Sequence, residues 1–373
     1  MALFSDDSNV DPYLRHGRRP SRGWIGWLIL FIAIGIGILL AMTPSPYVIE
    51  QPGPVYNTLG TAPHEGEEVP LISIDGEETF PTAGSLDMLT VSVVGNPSSL
   101  PNWLDVALAW GDSKKAVVPV ESVYPAGTTS EERDAENATL MVDSQQDAVA
   151  AALSNLGYDF PEKVTVVDTI DDTPASGVLE SGDIITTVDG QAIADVDALR
   201  ASLADSGAGV AIELGIERAG EQQTVTITPA EIDGSVAIGI NVTMSYDFPF
   251  DVSIQLDNVG GPSAGMMFAL GIIDKLTPGE LNGGQNVAGT GTIDAAGEVG
   301  AIGGIRQKLY GARDAGATWF LAPASNCDEV AGHIPSGLTV FSVETLDDSL
   351  TALEAISTGA DTSKLPTCST PAA

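Results

Sequence analysis

The sequence predicts an α+β protein, with one membrane-spanning helix followed by roughly two folded units. Three observations carry this expectation. An uninterrupted apolar run occupies residues 24–42, the strand-like segments do not alternate with crossover helices, and a glycine-rich middle segment has its own order of strands and turns. At 373 residues the chain exceeds one average domain.

Charge narrows the function classes. Fifty-one Asp and Glu against 15 Lys and Arg give a net charge of -36, which repels phosphate backbones and argues against nucleic acid as a partner. The few bases are unevenly spread: Arg15, Arg18, Arg19 and Arg22 stand just before the apolar run, and Thr-Pro-Ser-Pro and an acidic chain follow it. The expectation is a cytoplasmic tail at 1–22 and a transmembrane helix at 23–42, with everything from about 44 onward outside the cytoplasm, single-pass in the cell membrane. A cleaved signal peptide is the competing reading, against which the run exceeds the usual h-region and no small-x-small site closes it. The only cysteines, Cys327 and Cys368, belong to no CxxC pair. In an oxidising compartment they are a disulfide candidate that would tie the C-terminal tail to the domain; two separate buried thiols are the alternative.

The elements follow in order. Strands are expected at 47–50, 71–74 and 89–94, and helices at 101–110 and 143–156, the latter capped by Asp143 or Ser144 and stopped by Gly157. The middle segment, 160–228, reads as a strand at 164–170, a helix at 196–203 and strands at 210–216 and 223–227. Beyond it come a strand at 251–256, a break at Gly260-Gly261-Pro262 and an apolar helix at 263–273. Strands at 286–293 and 299–302, a helix at 305–315, strands at 319–322 and 338–343 and a helix at 346–356 complete the chain, with a flexible tail at 358–373.

Metal chemistry is not expected, because His16, His64 and His333 are isolated and no HExxH spacing exists. No GxxxxGK[ST] occurs either, so neither nucleotide nor any other cofactor is called for. The strongest local signal is Gly261-Pro262-Ser263-Ala264-Gly265. A serine at a helix N-terminus meets unpaired N–H groups and the positive end of the dipole, which an oxyanion needs, and Gly261, Ala264 and Gly265 supply the turn and the donors. A plain serine N-cap is the alternative.

A serine hydroxyl also needs a base. Lys275 lies twelve residues along the same helix, about 18 Å away, and Lys114, Lys115, Lys163 and Lys364 sit in polar surroundings. Lys308 has only Gly304, Ile305, Gly311 and Ala312 as helical neighbours, so lost hydration would lower its pKa toward the range of a working base. An ordinary exposed lysine is the alternative.

Two resemblances follow from these motifs. The Pro174-Ala175-x-Gly177, Gly182-Asp183-x-Ile185 and Asp189-Gly190 pieces of 160–228 resemble the bacterial type of PDZ domain, a small β-barrel that binds extended peptides by strand addition. No apolar-Gly-apolar carboxylate loop precedes Val164. Gly-Pro-Ser-Ala-Gly, then Gly289-Thr290-Gly291-Thr292-Ile293, then the Gly-rich run from Gly297 to Lys308-Leu309 resembles the proteolytic domain of Lon proteases. That resemblance implies Ser263 as nucleophile, Lys308 as general base and Thr290 as the hydroxyl that orients the lysine. It differs in having Gly260 where the family often has Asp. It also implies an N-terminal part of the same domain at 45–157 and a catalytic part at 236–357, with the PDZ-like module inserted between them. The whole is similar to bacterial membrane-anchored, PDZ-containing Lon-like serine proteases without the ATPase module, which act on proteins or peptides and whose domains often form homo-oligomeric rings. Two rivals stand beside this reading. Gly261-x-Ser263-x-Gly265 also fits the α/β-hydrolase elbow with His333 downstream, and the chain would serve as a PDZ adaptor if its Lon-like domain were inactive.

Overall fold

The computed structural model describes residues 23–368 apart from Glu65, Ala126, Asp233 and Asn258. The basic cluster at 15–22, the rest of the expected cytoplasmic tail and the end of the C-terminal tail lie outside the described residues.

The apolar run forms α1 (Gly23–Met42), none of whose central window is buried against protein. At about 1.5 Å per residue it is long enough to cross a hydrocarbon layer. The chain then builds strands β1 (Tyr47–Asn57), β2 (Ile72–Asp75) and β3 (Ser85–Val94), helix α2 (Trp103–Trp110), strand β4 (Ala116–Pro119) and the long helix α3 (Ser130–Asn155). Helix α3 begins well before the expected 143. Thr129 caps it, its side chain accepting from Glu132 N while the Glu132 carboxylate accepts from Thr129 N, so neither Asp143 nor Ser144 is the cap.

The middle module follows as β5 (Glu162–Thr169), β6 (Ile184–Val188), α4 (Val196–Ser206), β7 (Ile212–Arg218), β8 (Glu221–Ile227) and β9 (Ile240–Tyr246). Its sheet runs β8-β7-β6-β5-β9 and encloses a separate core that includes Val164, Ile185, Leu214 and Ile216. Strand β9 lies outside the expected 160–228, yet it pairs with β5 along its whole length, from Ile240↔Thr169 to Tyr246↔Glu162. The module therefore enters and leaves at neighbouring points. Phe160 packs edge-on against both Tyr246 and Phe248 at that neck, with centroids 6.0 and 5.1 Å apart.

The remaining elements are β10 (Asp251–Ile254), α5 (Gly265–Leu276), β11 (Asn286–Gly289), β12 (Thr292–Ile293), β13 (Val299–Gly300), α6 (Ile305–Asp314), β14 (Trp319–Pro323), β15 (Thr339–Val343) and α7 (Leu346–Thr358). One six-stranded sheet, β15-β14-β11-β3-β1-β4, takes three strands from before the module and three from after it. Strand β11 joins the two halves, parallel to both β3 and β14. Helix α5 is buried from Gly265 to Asp274, because it is apolar on every side and packs between this sheet, α3 and α7. Cys327 and Cys368 are joined as a disulfide with Cα atoms 4.8 Å apart, next to the Thr367 bridge to Phe341 of β15.

Candidate active site

The expected strand 286–293 is broken at Thr290-Gly291, and that break positions the site. Thr290 Oγ1 and Gly291 N both donate to the carbonyl of Ser263, at 2.8 and 3.0 Å, fixing the serine just ahead of α5. The helix cap is Ala264 rather than Ser263, so the serine side chain is not spent on capping. Lys308 comes from the second turn of α6. Its Nζ lies 2.7 Å from Ser263 Oγ and 2.9 Å from Thr290 Oγ1.

Lys308 is 2% exposed, and among the described residues no carboxylate lies within ion-pair distance of it. Burial pulls its pKa down to about 7. Helix α6 can place a lysine there because Gly304, at φ +67, turns the chain into the helix close against Val91 of β3.

The backbone around Ser263 is held from α3. Asn137 O accepts from Gly261 N at 2.9 Å, and Ser144 Oγ donates to Pro262 O at 3.0 Å. Because the peptide is trans, anchoring the Pro262 carbonyl toward α3 turns the Ser263 N–H the opposite way. Neither Ser263 N–H nor Ala264 N–H is spent on another group of the described protein. Among the expected oxyanion donors, Gly261 keeps the turn, with φ +87, but its N–H is engaged by Asn137. Gly265 N is directed at Pro262 O, at 3.4 Å. Ala264 N–H remains free to donate, and so does Ser263 N–H, which the sequence pattern did not single out.

The absence of a side chain at residue 260 has a local cause. A Cβ on Gly260 would meet Asn137 Cβ at 2.7 Å and the Asn137 backbone at 3.2 Å, so α3 occupies the space that an Asp would need. The site opens into a cleft of about 530 Å³ walled by Met88, Val91, Tyr124, Asn137 and Gly304. A histidine-based arrangement is not seen among the described residues: His333 Nδ1 faces Ala331 O at 3.1 Å, and Ser263 follows a strand, β10, whose partner among the described strands is β2, outside the main sheet. His64 pairs with Asp257 at 2.8 Å, and His16 lies outside the described residues.

The apolar-Gly-apolar pattern absent ahead of Val164 occurs on the other side of the module. Ile238-Gly239-Ile240 is an apolar-Gly-apolar turn that leads into β9, with Gly239 at φ +79 and Ile238 in the module core. Its carbonyls are fixed by Ala175 N and Ile170 N, each at 2.9 Å. The pattern is legible in the sequence, but it stands after the expected end of the module rather than before its first strand.

These features define a class: an α+β hydrolase-like domain with a buried Ser-Lys pair at a helix N-terminus, interrupted by a peptide-binding type of β-module. Residues 257–355 match the Lon protease (S16) C-terminal proteolytic domain and residues 132–228 the PDZ domain, so the chain carries a Lon-type proteolytic domain together with a PDZ domain. Lon protease 2 of Herpetosiphon aurantiacus is 41% identical over 107 residues, covering 27% of this chain and 13% of that protein. The Lon protease of Clostridioides difficile is 38% identical over 93 residues, covering 24% and 12%. The chain thus spans about an eighth of the length of these relatives. The PDZ domain of an SdrC-like protein from Listeria monocytogenes is 28% identical, covering 21% of this chain and 85% of that one, with a TM-score of 0.21.

Proposed function

We propose that the protein is a serine endopeptidase that works without ATP, with Ser263 as nucleophile and Lys308 as general base. The observation that carries this reading is the 2.7 Å approach of a buried, charge-isolated lysine to a serine at the start of α5. The neutral amine of Lys308 takes the Ser263 hydroxyl proton as Oγ attacks the peptide carbonyl carbon. Ser263 and Ala264 N–H groups, with the N-terminal end of α5, stabilise the tetrahedral oxyanion. Collapse breaks the C–N bond, and the Lys308 ammonium returns the proton to the departing amine. Water, deprotonated by the Lys308 amine, then attacks the acyl carbon, and the resulting ammonium returns the proton to Ser263 Oγ as the ester bond breaks. Thr290 holds Nζ in line by accepting one of its hydrogen bonds.

Substrate enters as an extended chain along the cleft, and β9, at one edge of the module sheet, offers its free side for strand addition beside the Ile238-Gly239-Ile240 turn. The Arg cluster before α1 and the Cys327–Cys368 disulfide both favour an anchored chain whose folded part faces an oxidising compartment outside the cytoplasm.

The deciding experiment incubates the full chain, in detergent micelles and without nucleotide, with casein. Ser263→Ala and Lys308→Met are expected to lower cleavage by about 10³-fold or more while leaving the melting transition in place. Equal digestion by wild type and Ser263→Ala, or none by either, would instead favour a peptide-binding adaptor. Loss confined to a His333→Ala variant would favour the hydrolase elbow.

A further inference from the structure

Helix α2 (Trp103–Trp110), sequence Trp-Leu-Asp-Val-Ala-Leu-Ala-Trp, has Asp105 as its one polar residue. A helix that is apolar around nearly its whole circumference is normally enclosed by protein or by lipid. Here only Val106 and Ala109 are buried. Leu108 is 67% and Trp110 65% exposed, and Leu104 is exposed on the same side as Leu108, one turn before it.

The position of α2 indicates what covers it. Trp103 N donates to Thr43 O, the carbonyl next after the last residue of α1, and Ser45 Oγ and Ser45 N both donate to Pro101 O. Trp103 also packs edge-on against Tyr47, with centroids 5.8 Å apart. The first turn of α2 is therefore pinned to the point where α1 ends. Trp103, Tyr47 and Trp110 are the residue types that settle at headgroup depth.

We infer that α2 lies in the outer headgroup layer of the bilayer that α1 crosses, its Leu104, Leu108 and Trp110 side chains inserted among the upper acyl segments. The partner is a lipid surface, and the contact makes the folded part of the protein sit on the membrane rather than hang from a tether. The same end of the molecule carries Val93 and Val94, both exposed. Val94 pairs with Ile49, two residues beyond Tyr47, and Val93 lines the cleft. One wall of the cleft thus starts at the membrane surface, which favours substrates presented close to the bilayer. This inference rests on reading α1 as a membrane span.

The test places the full chain in phosphatidylcholine vesicles whose acyl chains are brominated near the headgroup, and compares wild type with Trp110→Phe. The fluorescence that the substitution removes is the Trp110 signal; most of it should be quenched by brominated lipid and retained in ordinary lipid. A Trp110 signal equal in both lipids overturns the inference. If that unquenched signal also shifts to the blue as protein concentration rises, a second copy covers α2 instead. The span is tested separately through the signal removed by Trp24→Phe with Trp27→Phe. If that signal also escapes quenching, by chains brominated at any depth, the anchor itself fails, whereas quenching there with none at Trp110 sinks only the proposal for α2.

Discussion

Lys308 illustrates how far burial alone can set chemistry. Removal from water is the cause of its lowered pKa, about 7. Below that pH the amine is protonated and cannot accept the serine proton, and above it the free amine is present. We therefore predict that kcat/KM for a short peptide rises with pH through about 7 to a plateau, the rising limb following one proton. A profile flat from pH 5 to 9 would remove Lys308 as the base. Ser263 and Lys308 can be picked from the sequence because each stands in a short motif with few chemical competitors, whereas Thr290 is singled out only by the resemblance to Lon proteases. The N–H groups facing the cleft cannot, since they depend on where α3 places Asn137 and Ser144, residues more than a hundred positions away from the serine.

At the scale of elements, α3 is the piece the sequence conceals. Its first half, Ser-Glu-Glu-Arg-Asp-Ala-Glu-Asn-Ala-Thr-Leu, has no apolar stripe, so periodicity reveals only the half that packs on α5. The Thr129-x-x-Glu132 box was the available sign of the true start. The polar half carries Asn137 to the Gly260-Gly261 turn. Its contact there leaves no room for a methyl group, so Gly260→Ala should push α3 from the turn and cost about 1–3 kcal/mol of stability, with a fall in kcat. Thermal unfolding beside peptide turnover checks this; unchanged values in both would mean that α3 yields freely. Strand 286–293 is legible as a strand but not as a broken one, because its interruption is dictated by hydrogen bonds to Ser263 that no local pattern records.

At the scale of the whole molecule, the insertion is readable because the module's glycine and Gly-Asp turns differ from their surroundings. Its boundary is not, because β9 follows a hairpin-like stretch at 230–237 and is recruited by β5 from beyond the expected end. The observed limits define where the module can be excised. Joining Pro161 to Asp247 through two glycines removes the module at a point where Asp247 N already donates to Pro161 O at 3.1 Å. The shortened chain is expected to melt cooperatively and to keep short-peptide turnover within about tenfold, equivalent to about 1.4 kcal/mol, while losing most of its casein cleavage. Equal casein cleavage would mean that the module does not capture substrate.

A module whose entrance and exit are one hydrogen bond apart is also separable at the level of the gene. Genetic exchange at those two codons could swap one recognition cassette for another without shifting a strand of the main sheet. Descent can then vary what is seized independently of what is cut.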